Sequence, residues 1–118
     1  MVKVSFESDS INIVVRASGH ALFDKKGSDI VCASISVLIQ SWYMSEKELC
    51  GADTRMEQTK DNLVVKVNNY GQEELLLFKS LVLSLYTLEN QYPEYIRIEM
   101  EECDGGFKYG KKRQGKPF

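Results

Sequence analysis

The first seventeen residues alternate. In VKVSFESDSINIVVRA, Val2, Val4 and Phe6 fall on one side, and after a Ser-Asp-Ser turn Ile11, Ile13, Val15 and Ala17 resume the pattern. A period of two with turn chemistry between the runs predicts a β-hairpin with one face toward a core and the other toward water. A sheet built this way has to be covered on its apolar side, and the rest of the chain must supply the cover.

Two helical segments meet that need. In SDIVCASISVLIQSWYMSEKEL, Ser28 or Asp29 is placed to cap the N-terminus, and Val31, Ile35, Leu38 and Trp42 share one face with Ile39 beside them. QEELLLFKSLVLSLYTLENQY is acidic in its first turn, as the helix dipole favours, and stops before Pro93. Its spacing sends Leu77, Leu81, Leu85 and Leu88 to the sheet and leaves Leu76, Val82, Leu83 and Tyr86 for the other helix or a second subunit. NLVVKVN reads as a strand through Leu63, Val65 and Val67, EYIRIEMEE as another with Ile96, Ile98 and Met100 inward, and residues 51–57 as a weak edge strand. The order ββαβ(β)αβ predicts an α+β fold, a largely antiparallel sheet with two helices packed on one face. At 118 residues this is one domain, set at 1–104, followed by a flexible basic tail over 105–118.

Charge and composition narrow the classes of function. The net charge of −2 hides an acidic body, because Lys108, Lys111, Lys112, Arg113 and Lys116 crowd the end; without them the balance is −7. An acidic body favours a basic protein partner over nucleic acid. The tail reads as a solvated segment in preference to an RNA anchor. No apolar run reaches the roughly 18 residues of a membrane span, and the N-terminus does not resemble a signal peptide, so a cytoplasmic protein without membrane association is expected. Three cysteines at unrelated spacings, Cys32, Cys50 and Cys103, fit neither a disulfide framework nor a metal-ligand pattern, and no phosphate loop is present. No cofactor or metal is expected.

The chemistry concentrates in GHALFDKKGSDIVCASIS, residues 19–36. His20 follows the second strand, and Cys32 falls in the first turn of the helix fed by a loop running from Ser18 to Gly27. A helix packed back on that strand makes its N-terminus a neighbour of the strand end. Unpaired N–H groups and the helix dipole there stabilise a thiolate and an oxyanion, and an imidazole supplies the base. Asp29 either orients His20 or caps the helix. Ser36 lies one turn after Cys32 on the same side, and Gly19 lets the loop turn sharply. On these residues alone Cys32 reads either as a nucleophile or as a small core residue, and the chain either as an enzyme or as a non-catalytic protein-binding domain.

Gly19-His20-Ala21, then Gly27-Ser28-Asp29-Ile30-Val31-Cys32-Ala33, then Ser36 resembles the signature of the ribosomal-processing cysteine proteases, the Prp family. The resemblance implies an endopeptidase that removes an N-terminal extension from a ribosomal protein precursor, the twenty-seventh protein of the large subunit, cutting after an aromatic residue. It implies Cys32 as nucleophile, His20 as general base, and Gly19, Asp29 and Ser36 as supporting positions, within a homodimer whose loop ALFDKKGS moves over the site. Ser34 stands where the family signature has a small apolar residue, and the basic tail lies outside the signature.

Overall fold

The computed structural model describes residues 1–19 and 26–103, with backbone alone at 26–29 and 101–103. His20, most of the loop expected to move, and the tail 105–118 lie outside the described residues. The elements are β1 (Val2–Ser8), β2 (Ile13–Ser18), α1 (Lys26–Cys50), β3 (Asp53–Gln58), β4 (Asn62–Asn68), α2 (Gln72–Gln91) and β5 (Ile96–Cys103). The weak strand signal near residue 53 is therefore a full strand, and the fold is the α+β class that the alternation predicts.

The strands order β3-β4-β2-β1-β5. Three of the four pairings are antiparallel, and β5 lies parallel to β1 with Val2 opposite Ile96 and Val4 opposite Ile98. The hairpin turn is set by Asp9, whose Oδ1 accepts the backbone N–H groups of Ile11 and Asn12 at 2.7 and 2.6 Å. Ile11 sits in that turn, exposed, so the inward row of β2 begins at Ile13.

Every second strand residue on one face is buried: Val2, Val4 and Phe6 on β1, Ile13, Val15 and Ala17 on β2, Leu63, Val65 and Val67 on β4, and Ile96 on β5. The opposite face carries Lys3, Glu7, Arg16, Lys66 and Arg97 in water. Both helices cover the apolar face. From α1 come Val31, Ile35, Ile39 and Trp42, with Leu38 at the margin, and from α2 come Phe78, Leu81, Val82, Leu85 and Leu88.

The facing of α2 differs from the leucine spacing. Phe78 is fully buried, its ring edge-on to Phe6 at 5.6 Å and tilted against Trp42 at 6.0 Å, while Leu77 is only half-buried. Val82, expected at the other helix or a second subunit, is fully buried within the protein. An aromatic ring that joins the sheet to both helices buries more area than a leucine one position away, and this sets the rotation of α2.

A second difference lies at the start of α1. The helix begins at Lys26, ahead of the expected caps Ser28 and Asp29, and it includes Gly27, which the sequence reading placed in the loop. No proline or β-branched residue precedes Ile30 to prevent that extension. Cys32 accordingly lies in the second turn of α1 rather than the first.

Candidate active site

A groove of about 90 Å³ opens where the ends of three elements meet. Val2 and the segment Ala17–Gly19 form one wall, Cys32, Ile35 and Ser36 of α1 form the second, and the β3–β4 hairpin from Gln58 to Leu63 forms the third. Sheet order explains the meeting. Because β4 lies beside β2 with Ser18 opposite Asn62, the turn between β3 and β4 is carried alongside the end of β2. The N–H of Gly19 donates to the carbonyl of Asp61 across that junction at 3.3 Å.

Gly19 is required by its backbone. Its φ of +115° lies in the region that side chains avoid, and a Cβ placed there would stand 2.5 Å from the carbonyl oxygen of Met1. The chain thus leaves β2 pressed against the start of β1, on the rim of the groove that holds Cys32. His20 is the next residue in the sequence and lies outside the described residues.

Cys32 is half-buried. Side chains on a helix lean toward its N-terminus, so those of Cys32 and Ser36, four positions apart, lie along one stripe beside the groove. Ser36 Oγ accepts a 2.6 Å hydrogen bond from the side-chain amide of Gln40. A hydroxyl that accepts from one side retains its own hydrogen to donate. Ser34 is engaged differently, donating to the carbonyl of Ile30 at 2.8 Å within the helix. With α1 starting at Lys26, the N–H of Cys32 lies inside the helical ladder, and the unbonded N–H groups sit a turn farther off than the sequence reading placed them. Asp29 is in the first turn, and its side chain is outside the description.

The β3–β4 turn was not legible as part of a site. Thr59, Lys60 and Asp61 carry no catalytic signature, and only the strand order reveals that they border Cys32.

A second thiol offers a contrast. Cys50 ends α1, where burial first, then the charges of Glu46, Glu74 and Glu73, push its pKa up. Such surroundings suppress a thiolate. Beside it Glu46 is fully buried, its Oε2 accepting the Trp42 indole N–H at 2.7 Å and its Oε1 without a hydrogen-bond partner among the described residues. Burial raises the Glu46 carboxyl to about 7 with help from Glu74, against the Trp42 and Cys50 hydrogen bonds. Fourteen residues separate Glu46 from Cys32, roughly 20 Å along the helix, so the groove and this acidic end are separate places. No helix among the described residues is long and apolar enough to cross a membrane.

The mixed five-stranded sheet carries two helices on one face, and Cys32 of α1 stands in the groove beside the end of β2. Residues 1–97 match the family model for the cysteine protease Prp, and the chain belongs to that family. It is a cysteine protease. Over 111 residues it is 33% identical to the ribosomal processing cysteine protease Prp of Mycoplasma genitalium, covering 88% of this chain and 100% of that protein. The essential ribosomal processing protease Prp of S. aureus has been solved with a substrate peptide and with a covalently linked product peptide. Those structures share the fold with TM-scores of 0.71 and 0.72, covering 86% of this chain and 100% of each of theirs, at 23% and 24% identity.

Proposed function

We propose that the protein removes an N-terminal extension from a ribosomal protein precursor, the twenty-seventh protein of the large subunit, by thiol chemistry at Cys32 with His20 as general base. The observation that carries this reading is the convergence of Cys32, Ser36 and the Gly19 strand end on one groove. His20 is adjacent in sequence to that strand end, and Cys50 sits among carboxylates unsuited to a nucleophile. The names of the Prp relatives supply the substrate class.

In this mechanism His20 takes the Cys32 proton and the thiolate attacks the scissile carbonyl carbon. The tetrahedral intermediate collapses to a thioester as His20 returns its proton to the leaving amine. Water, deprotonated by the same imidazole, then attacks the thioester carbonyl. Release of the new carboxylate returns the thiol. Ser36 has a hydroxyl hydrogen to offer in the groove, and Asp29 is the carboxylate available to orient His20. An acidic body suits a basic ribosomal substrate, and processing of that substrate belongs to the cytoplasm.

The enzyme works as a homodimer in this reading. The outer stripe of α1, Ile30, Val37 and Met44, is exposed and apolar, and it is the surface we assign to the second copy. Light scattering on wild type and on Val37→Glu checks it: a monomeric wild type removes the dimer.

Intact-mass analysis of the full-length ribosomal protein after incubation with wild type and with Cys32→Ser tests the activity. A single cut by wild type alone is expected. A cut by both proteins removes Cys32 as nucleophile, and an uncut protein removes the substrate assignment.

A further inference from the structure

We propose that the substrate binds as an added β-strand on the open edge of β3, paired with the backbone of Thr54, Met56 and Gln58, and is thereby delivered to the groove at Cys32. The proposal rests on the peptidase reading above and names how that site holds its polypeptide.

β3 is the outermost strand on its side of the sheet. Its pairing with β4 fixes which backbone groups are already used. Thr59 donates to the Asn62 carbonyl at 2.8 Å to close the hairpin, and hydrogen-bonded pairs recur at every second position in an antiparallel ladder. Those positions are Glu57 opposite Val64, Arg55 opposite Lys66, and Asp53 opposite Asn68. The N–H and C=O groups of Thr54, Met56 and Gln58 therefore point away from β4, toward the open edge. Over the six residues of β3 this edge extends about 20 Å.

Exposed edges are usually blunted by proline, by a bulge or by a charge aimed across the edge. The opposite edge strand, β5, shows such a device, a register break against β1 between Phe6 and Ser8. β3 pairs with β4 in unbroken register and contains no proline, and its charged side chains, Asp53, Arg55 and Glu57, are all on the sheet face away from the helices. On the helix side are Thr54 and Met56, half-buried, a partly apolar seat for alternate side chains of an incoming strand.

Position identifies the occupant. Gln58 and Thr59, where the edge ends, border the groove with Cys32. An endopeptidase must hold an extended chain across its nucleophile, and backbone pairing holds one with little demand on sequence, leaving the groove to read the residue at the cut.

The test uses the intact protein and a peptide spanning the extension and cut of the large-subunit protein. Bound to Cys32→Ser protein, the peptide is expected to slow amide exchange at Thr54, Met56 and Gln58 at least tenfold, with little change at Arg55 and Glu57. Met56→Pro deletes one outward N–H without touching the ladder to β4, and should raise KM about tenfold relative to Met56→Ala, with kcat and the alkylation rate of Cys32 unchanged. Cleavage by wild type without protection at those three amides overturns the edge assignment and leaves the protease reading standing. No cleavage by wild type overturns the substrate reading, and the edge assignment falls with it.

Discussion

The indole N–H of Trp42 donates to Oε2 of Glu46 at 2.7 Å, one turn along α1, in a place closed to solvent. A carboxyl held there with Oε1 unpartnered among the described residues favours its neutral form, and Glu74 from α2 adds negative charge against ionisation.

Stability should therefore depend on pH through Glu46. The unfolded carboxyl titrates near 4.5 and the folded one near 7. Between those values the folded chain keeps a proton that the unfolded chain has lost, so stability falls as pH rises through the window and stays low above it. The loss is of the order of 2–3 kcal/mol. Glu46→Gln removes the titration and keeps an acceptor for Trp42. Urea unfolding at pH 5 and pH 8 should show the drop in wild type and a flatter profile in the variant.

Phe78 should be the costliest truncation in α2. Its ring meets Phe6 on the sheet and Trp42 on α1, so Phe78→Ala opens a cavity that three elements line, with a loss of about 3–5 kcal/mol. Leu76→Ala, at a position 67% exposed, should change stability by no more than about 0.5 kcal/mol. Thermal melts of the two variants make the comparison, and equal losses would show that α2 is rotated from this description.

Gly19→Ala tests the strand end. An L side chain at φ +115° is strained, and its Cβ meets the Met1 carbonyl, so a loss of about 1–3 kcal/mol is expected. Cleavage should fall further than stability accounts for at temperatures where the variant is folded, because the wall of the groove shifts with the backbone. A variant with wild-type melting and wild-type turnover would remove Gly19 from the supporting set.

Period-two patterns made the strands legible, because Val2 to Phe6, Ile13 to Ala17 and Leu63 to Val67 each alternate. The rotation of α2 was less legible. Its seven leucines and one valine compete for one face, and the deciding residue, Phe78, is chosen by what it meets in space. The parallel seat of β5 beside β1 leaves no local trace either. For the site, residue types and spacing singled out Cys32, Ser36 and Gly19, and the groove brings those three together. The hairpin wall from Gln58 to Asn62 was invisible in sequence because it is adjacent only through the β4–β2 pairing. Glu46 was invisible for the opposite reason: in a run such as SEKEL a glutamate reads as solvated, and only tertiary burial marks it out.

Ser36 should act on rate and not on folding. Its Oγ accepts from Gln40, which orients the hydroxyl and leaves its hydrogen free to be donated beside Cys32. A neutral hydrogen bond made in the transition state is worth about 1 kcal/mol, which corresponds to a loss of roughly five- to tenfold in kcat for Ser36→Ala. Gln40→Leu removes the amide that orients it and should give a smaller decrease in the same direction. Neither variant should move the melting temperature by more than a few degrees, because the groove is open to water and can solvate what is left. Turnover of the substrate peptide, read beside the rate of Cys32 alkylation, separates the alternatives. A fall in kcat with alkylation unchanged assigns the hydroxyl to the bound substrate, a fall in both assigns it to the thiolate, and no change in either removes Ser36 from the site.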